Sequence, residues 1–164
     1  MRRRTLFQVG TIMGIGMVAK TLGLRDVLAK EAARKFEIEK TDEEWKTILT
    51  PEQYYVLRQG GTETPFKNEY HNSKHNGMYH CAGCHLPLFS SKTKFDSKTG
   101  WPSFWEPIKP SAIGIKTDWK LIYPRTEVHC RQCGGHQGHV FDDGPPPTGL
   151  RYCINSAALV FISA

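Results

Sequence analysis

Four of the five cysteines in this sequence have the spacing of metal ligands or of redox pairs. They form two CxxC motifs: Cys81 with Cys84, and Cys130 with Cys133. A CxxC turn directs two thiolates at one point, and two such turns supply the four soft sulfur ligands that suit tetrahedral zinc. Two redox-active motifs, or disulfides in an oxidising compartment, would use the same residues. Gly83 within the first motif and Gly134 directly after the second allow close approach to a metal. Four cysteines leave no ligand position for water, so we predict a closed, structural zinc site rather than a catalytic one.

The fifth cysteine, Cys153, lies alone in the segment RYCINSAAL. A single cysteine is most often a small buried hydrophobic residue. Here Arg151 and Asn155 lie two residues to either side, and on a strand all three side chains share one face. A guanidinium favours the thiolate form of a nearby cysteine, and an amide donates hydrogen bonds. This combination favours a thiolate at a site that opens to solvent.

Two histidines and two aspartates follow the second CxxC motif in the segment GGHQGHVFDDG. His136 and His139 have a spacing of three, and Asp142 and Asp143 come shortly after. An imidazole donates a proton near neutral pH, and a carboxylate behind it holds its tautomer. Additional metal ligation or an ordinary loop role would also account for the histidines, but four cysteines already fill a zinc site. Both histidines are therefore candidate proton donors.

A third cluster of interest is GWPSFWEP, residues 100–107. Gly100 and Pro102 flank Trp101, which favours a rigid loop with an aromatic side chain as a pocket wall. We predict that Phe104 and Trp105 belong to the core.

The elements that position these residues are predicted from caps and alternation. The segments TDEE and TPEQ both have the capping-box pattern, with Thr41 three residues before Glu44 and Thr50 three residues before Gln53. Two short helices are therefore expected, and the second should end near residues 59–61. Short β-like runs between turn residues then follow: GMYHC, PLFSS, AIGIK, TEVHC, GHVF, LRYCIN and LVFIS. The pattern predicts a mainly β (α+β) body.

The net charge of +6 is concentrated near the amino terminus. Residues 1–29 contain five basic residues and one acidic residue and so carry +4, which leaves +2 for residues 30–164. A body with so little excess charge argues against a nucleic-acid partner.

Residues 1–29 read as an export signal. The basic start MRRRTLF precedes a mildly apolar, glycine-rich run and a small-residue cleavage motif at residues 27–29, and RRRTLF resembles the twin-arginine signal. We predict an exported, periplasmic protein with at most transient membrane contact through the signal; anchoring by an uncleaved amino terminus is the alternative. Residues 30–40 are predicted to be a linker and residues 41–164 the catalytic domain.

Three segments of the body together resemble the methionine-R-sulfoxide reductases, the B type of peptide methionine sulfoxide reductase: LTPEQYYVLRQGGTETPF, FDSKTGWPSFW and CRQCGGHQGHVFDDGPPPTGLRYCINSAAL. The resemblance runs from about Asp42 to Phe161. It implies two antiparallel sheets in a rolled, tent-like barrel with short flanking helices, and one structural Zn²⁺ on the two CxxC motifs. It also implies an oxidoreductase that acts on the R epimer of methionine sulfoxide within proteins.

The resemblance assigns roles to the candidate residues. Cys153 is the nucleophile that attacks the sulfoxide sulfur and is left as a sulfenic acid. His136 and His139 deliver or position the proton that the departing oxygen needs. Trp101 packs against the terminal methyl group of the substrate, and Asn155 fixes polar groups.

Other positions complete or depart from the pattern. Arg151 belongs to the substrate-binding site and favours the thiolate. Many members of the family carry a resolving cysteine two residues before the tryptophan, where this chain has Thr99. We therefore expect an external thiol, from a thioredoxin-like protein or a small molecule, to reduce the sulfenic acid directly. Gly135 and Gln137 replace the commoner serine and apolar residue, which alters the loop that carries the histidines.

Two other functional classes remain open from the residues alone. A zinc-ribbon binding module would use the CxxC motifs but would give Cys153 no role. A redox sensor of the same family would oxidise Cys153 without turning over. The expected partners are oxidised proteins and a thiol reductant, without nucleic acid, and a monomer is expected.

Overall fold

The computed structural model describes residues 36–164 of the chain. The predicted export signal, residues 1–29, and the first part of the predicted linker lie outside the described residues. Residues 36–40 contact the body of the protein: the backbone N–H of Ile38 donates to the carbonyl of Gln132 at 3.0 Å. Within residues 36–164, the helices are too short and too polar to cross a membrane.

Two capped helices begin the body. α1 spans Asp42–Ile48 and α2 spans Pro51–Gln59. In α1, the backbone N–H of Thr41 donates to the Glu44 carboxylate at 2.7 Å, and the Glu44 N–H donates to the threonine hydroxyl at 3.2 Å. The same reciprocal pair caps α2, and a left-handed Gly60 ends it. Both predicted capping boxes are therefore confirmed. Each stabilises its helix by satisfying backbone N–H groups that a helix start leaves without partners.

Nine strands follow, interrupted by three single turns of 3-10 helix. The strands are β1 Gly77–Cys81, β2 Pro87–Ser90, β3 Lys94–Phe95, β4 Ser103–Phe104, β5 Ile113–Asp118, β6 Arg125–Cys130, β7 His136–Phe141, β8 Arg151–Ile154 and β9 Leu159–Ser163. All seven β-like runs of the sequence contain strands. β3 and β4 consist of two residues each, too short for an alternation pattern to reveal.

The strands form two antiparallel sheets. One has the order β2-β1-β9, and the other has the order β3-β4-β8-β7-β6-β5. The predicted mainly β fold with two antiparallel sheets and short amino-terminal helices is confirmed. The ladders of the described strands leave the two sheets separate and do not close into a barrel.

An aromatic core fills the space between these elements. Phe89 and Phe104 stack with ring centroids 4.5 Å apart, and Tyr79 meets Phe104 edge-on at 5.1 Å. All three are fully buried. The predicted core position of Phe104 is therefore correct, whereas Trp105 is only half-buried. Because Phe104 pairs with Tyr152 on β8, this packing fixes the strand that carries Cys153.

Candidate active site and metal centre

Cys153 lies on β8, between two neighbouring strands that each contribute a polar partner. The register pairs it with Ser103 on β4 and with His139 on β7. Gly138 allows this close pairing, because a Cβ at that position would lie 2.0 Å from the carbonyl oxygen of Cys153. The antiparallel register thus brings a cysteine and a histidine side by side on one sheet.

A cavity of about 110 Å³ opens above this pair. Its lining includes Thr62, Trp101, Arg125, His139, Cys153 and Asn155. Four of the six residues that the sequence places in the active site therefore share one cavity. His136 and Arg151 are not part of its wall and contact residues that are.

The reactivity of Cys153 is set by opposing effects. Burial raises the pKa of its thiol, while the positive charge of Arg151 and the hydroxyl of Thr99 act to lower it. The Thr99 Oγ1 lies 3.9 Å from the Cys153 Sγ. Burial outweighs the two groups, so the pKa of Cys153 is raised overall, and Arg151 and Thr99 offset part of that effect.

Arg151 is held in place by a bidentate ion pair. Its Nε and Nη2 donate to the two carboxylate oxygens of Asp143, both at 2.8 Å. Its guanidinium also lies over the ring of Phe141, 4.4 Å from the centroid, and Phe141 lines the cavity. This two-point contact restricts the guanidinium far more than a single ion pair would.

His139 has a carboxylate partner from a different part of the sequence than expected. Its Nε2 lies 2.8 Å from the Oδ2 of Asp118 at the end of β5, and Arg125 donates to the same oxygen at 2.8 Å. Burial lowers the pKa of His139, and the Asp118 carboxylate opposes that effect. Burial would raise the pKa of Asp118, but hydrogen bonds from the Lys120 backbone, His139 and Arg125 outweigh it and hold that pKa well below its usual range.

His136 is buried and packs behind His139. The two rings meet edge-on with centroids 5.4 Å apart. The His136 Nδ1 lies 3.1 Å from the Oε1 of Glu127, which also pairs with Lys116 at 3.2 Å. Burial would raise the pKa of Glu127, but the contacts with His136 and Lys116 lower it overall. The aspartates near the histidines in sequence play another part: Asp143 holds Arg151, and Asp142 is exposed.

Asn155 and Trp101 are fixed by the buried residue Glu63. The backbone N–H of Glu63 donates to the Asn155 Oδ1 at 3.1 Å, and its carbonyl accepts from the Trp101 Nε1 at 3.2 Å. Asn155 also donates to the Gln137 carbonyl at 3.0 Å. The Glu63 carboxylate accepts the backbone N–H groups of Ser156 and Ala157 at 2.6 and 2.8 Å. Burial raises the pKa of Glu63, and these backbone donors act against it.

The four paired cysteines converge at a second centre. All four sulfurs lie within 4.8 Å of one another, with 3.6 Å between those of Cys81 and Cys133 and 3.5 Å between those of Cys84 and Cys130. Zinc–sulfur bonds of about 2.3 Å in a tetrahedron separate the sulfurs by about 3.8 Å. The cluster therefore has the dimensions and the donor set of a four-thiolate metal site.

Comparisons with known proteins place most of this chain in one family. A family model described as the SelR domain matches residues 49–163. The chain belongs to the SelR family. A protein of Agrobacterium fabrum named peptide methionine sulfoxide reductase MsrB is 55% identical over 125 residues, 76% of this chain and 93% of its own length. Proteins of the same name from Pseudomonas putida and Methanosarcina barkeri are 58% and 56% identical, over 94% and 87% of their lengths.

Membership of the SelR family confirms the resemblance seen in the sequence motifs. It favours an oxidoreductase over a zinc-ribbon binding module, because the relatives are named as reductases and the match covers almost their whole length. It also places the four-cysteine cluster and the Cys153 cavity inside the matched region.

The sequence analysis missed the residues that hold the candidate site side chains in place through hydrogen bonds and ion pairs. These are Glu63, Asp118, Arg125 and Glu127. One signal was available: the alternation of β6 places Arg125 and Glu127 on one face of a strand that is otherwise largely buried. The pairing of Asp118 with His139 crosses two ladders and had no such signal.

Proposed function

We propose that this protein reduces the R epimer of methionine sulfoxide in proteins, with Cys153 as the nucleophile. The observation that carries the proposal is the cavity in which the Cys153 sulfur, the His139 imidazole and the Trp101 indole meet. Such a cavity offers a soft nucleophile for the sulfur, a proton donor for the oxygen and an apolar wall for the methyl group.

The chemical step transfers one oxygen atom and two electrons. The Cys153 thiolate attacks the sulfoxide sulfur while a proton is delivered to the sulfoxide oxygen. This attack forms a sulfur–sulfur bond between Cys153 and the substrate, and the protonated oxygen leaves the substrate sulfur. The oxygen then bonds to the Cys153 sulfur as hydroxide while the sulfur–sulfur bond breaks, which leaves Cys153 as a sulfenic acid. The substrate sulfur gains the electron pair and leaves as methionine, so Cys153 is oxidised by two electrons and the substrate is reduced by two.

We assign proton delivery to His139 and a positioning role to His136. His139 lines the cavity beside Cys153, and its Nε2 hydrogen bond to Asp118 fixes the ring. His136 packs against His139 from the side of Glu127 and restricts its rotation. The carboxylate of Asp118 also stabilises the imidazolium form that would donate the proton.

Trp101 and Asn155 would orient the substrate. The Trp101 ring lines the cavity as its large apolar surface, and its Nε1 is occupied by the Glu63 carbonyl, which leaves the ring face for the methyl group. Asn155 is buried at the cavity wall with its amide fixed on both sides. Both side chains are therefore preorganised before substrate arrives.

Recycling would depend on an external thiol. The Thr99 hydroxyl lies 3.9 Å from the Cys153 sulfur at the position where many family members carry a resolving cysteine, and a hydroxyl forms no disulfide. Two thiols of a thioredoxin-like protein or of a small molecule complete the cycle: the first forms a mixed disulfide and releases water, and the second releases the Cys153 thiol and the external disulfide.

The four-cysteine cluster would hold one Zn²⁺. A closed set of four thiolates leaves no site for water, so the ion would supply folding stability rather than catalysis. Gln137, one of the two unusual residues beside the histidines, lies on β7 and donates to the Cys81 sulfur at 3.5 Å. Such a hydrogen bond would help to neutralise the charge of a four-thiolate site.

We further propose that residues 1–29 direct export through the twin-arginine route. The arginines at positions 2–4 and the apolar run after them support this proposal. A pathway that carries folded proteins would let the metal site form in the reducing cytoplasm. Recovery of the active protein only from the cytosol, with residues 1–29 intact, would contradict export.

The experiment that tests the function compares the two epimers. The full chain is given peptides that contain methionine R- or S-sulfoxide, with dithiothreitol as reductant, alongside Cys153→Ser. We expect multiple turnovers with the R epimer only, and at least a ~1,000-fold loss in the variant, because the nucleophile is removed. Absence of turnover from a folded, zinc-loaded wild type would contradict the proposal. A single stoichiometric burst would instead favour the redox sensor, which the threonine at position 99 makes the second candidate.

A further inference from the structure

Four large apolar side chains project into solvent at the end of the β5–β6 hairpin. We call these residues the apolar tip: Trp119, Leu121, Ile122 and Tyr123. Ile122 is fully exposed, and the exposed fractions of Trp119, Leu121 and Tyr123 are 72%, 45% and 56%. Single exposed apolar residues are ordinary, but four within five consecutive positions form a continuous patch. Such patches mark surfaces that bind another apolar molecule.

The apolar tip is joined to the Cys153 cavity at both of its ends. Asp118, the residue before the tip, accepts the hydrogen bond of His139 at 2.8 Å. Arg125, two residues after Tyr123, lines the cavity itself and pairs with Asp118. The loop that carries the tip is therefore anchored at both ends by residues of the candidate active site.

A lysine within the loop fixes the tip relative to the opposite rim. The Lys120 Nζ donates to the carbonyl oxygens of Gln59 and Gly60, at 3.1 and 3.0 Å, where α2 ends. The chain then runs to Thr62, which lines the cavity. These contacts hold the tip in one position next to the entrance, so its apolar surface is available to any chain that enters.

We propose that the apolar tip binds apolar residues that flank methionine sulfoxide in an unfolded segment of the substrate protein. This inference rests on the proposed function. A cavity of about 110 Å³ accommodates one side chain, so the neighbouring residues of a peptide must lie across the rim. Oxidation of a buried methionine introduces a polar group that disrupts a core, and the segment that is then exposed is rich in apolar residues.

The charges around the tip favour a protein segment over a lipid surface. Loops that bind membranes combine apolar residues with cations free to contact lipid headgroups. Here Lys116 pairs with Glu127, Lys120 is engaged with two carbonyls, and Arg125 pairs with Asp118. The basic residues of this hairpin are therefore committed to the protein, and the tip offers apolar and aromatic surface.

The test distinguishes binding in the cavity from binding at the apolar tip by varying the residues beside the sulfoxide in the substrate. The full-length wild type, the double variant Trp119→Ser/Ile122→Ser and the control Ile162→Ser are compared. Ile162 is 48% exposed but lies on β9 of the three-stranded sheet. The substrates are a blocked methionine R-sulfoxide, a peptide with leucine and valine beside the sulfoxide, and a matched peptide with serine and glycine there.

We expect the wild type to prefer the apolar peptide by about tenfold in kcat/KM, since two or three partly buried side chains supply that difference. The double variant should lose this preference through KM, with kcat and the reaction of the blocked amino acid unchanged. The control should keep the preference. The inference would be overturned if the wild type reduced all three substrates without preference. It would also be overturned if the kcat/KM of the double variant fell equally for all three substrates. Either result would leave the proposed function standing.

Lipid binding by the apolar tip is tested with vesicles of phosphatidylcholine and phosphatidylglycerol. Sedimentation of the wild type, but not of the double variant, with these vesicles, together with unchanged peptide kinetics, would assign the tip to lipid and overturn the inference. Failure of the wild type to reduce any of the three substrates would contradict the proposed function itself, and the inference with it.

Discussion

At the scale of single residues, the site is governed by how Cys153 is kept reactive in a partly buried position. Burial raises the pKa of the thiol, so the neighbouring groups must recover the thiolate. Arg151 contributes charge and is held by Asp143, while Thr99 contributes a hydroxyl. A second hydroxyl, that of Ser97, lies 2.8 Å from Thr99 and extends this polar contact. The reactivity proposed for Cys153 thus depends on its oriented neighbours more than on its own exposure.

The substitution Thr99→Cys tests whether this position alone decides the recycling route. The Thr99 side chain already reaches within 3.9 Å of the Cys153 sulfur, so a thiol there would attack the sulfenic acid and form an intramolecular disulfide. We expect the disulfide to accumulate after one turnover without reductant and labelling of the sulfenic acid by dimedone to fall at least ~tenfold.

Thr99→Ser is the matched control for that experiment, because it retains the hydroxyl and adds no thiol. The control should keep the dimedone labelling of the wild type. Equal labelling of the cysteine variant and of the wild type would show that the two side chains do not meet during turnover, and would place the recycling step elsewhere.

At the scale of elements, the ladder register brings the reactive groups together. β8 lies between β4 and β7, which places His139 directly beside Cys153, and the β5–β6 hairpin brings Asp118 to His139 from the far side. In the proposed reaction, this hairpin supplies a carboxylate to the proposed proton donor His139 and also contributes Arg125 to the cavity. A change in that hairpin should therefore affect the pH dependence of the reaction.

The substitution Asp118→Asn tests that coupling. Burial lowers the pKa of His139, and the Asp118 carboxylate opposes the effect, so the pKa of His139 should fall further in the variant. The imidazolium that donates the proton is then lost at a lower pH, and the alkaline decline of kcat/KM should begin at lower pH. At neutral pH we expect a loss of roughly ten- to a hundredfold. Profiles of kcat/KM against pH measure the change.

The exposed residue Asp142 supplies the control. Asp142→Asn removes the same charge three residues after His139 and should leave the pH profile in place. Identical profiles for the wild type and Asp118→Asn would mean that the proton does not come from His139.

The same elements show which features of the structure local sequence patterns can predict. The capping boxes at Thr41 and Thr50 were readable because each depends on residues three apart, and β8 was readable from its own alternation. The His139–Asp118 contact spans 21 residues and depends on the registers of two ladders, which local patterns leave undetermined. Glu63 escaped for the same reason, since it caps a turn more than ninety residues away.

At the scale of the whole molecule, the cysteine cluster joins the two sheets. Cys81 ends β1 in the three-stranded sheet, and Cys130 ends β6 in the six-stranded sheet. A metal bound there would close a long loop of chain, which removes conformational freedom from the unfolded state. It would also hold β6, and through it β7 and β8, in the register on which the active site depends.

Loss of the metal should therefore destabilise the entire body and not only the cluster. We expect one zinc per chain, and we expect chelation under reducing conditions, or the substitution Cys84→Ser, to lower the Tm by more than about 10 °C, because ligation in small zinc domains contributes on the order of 10 kcal/mol. Metal analysis and thermal unfolding followed by circular dichroism measure both effects. Cys153→Ser removes a cysteine outside the cluster and should retain both the zinc and the Tm. An unchanged Tm in the metal-free protein would mean that packing between the sheets suffices, and that the four thiols serve another purpose.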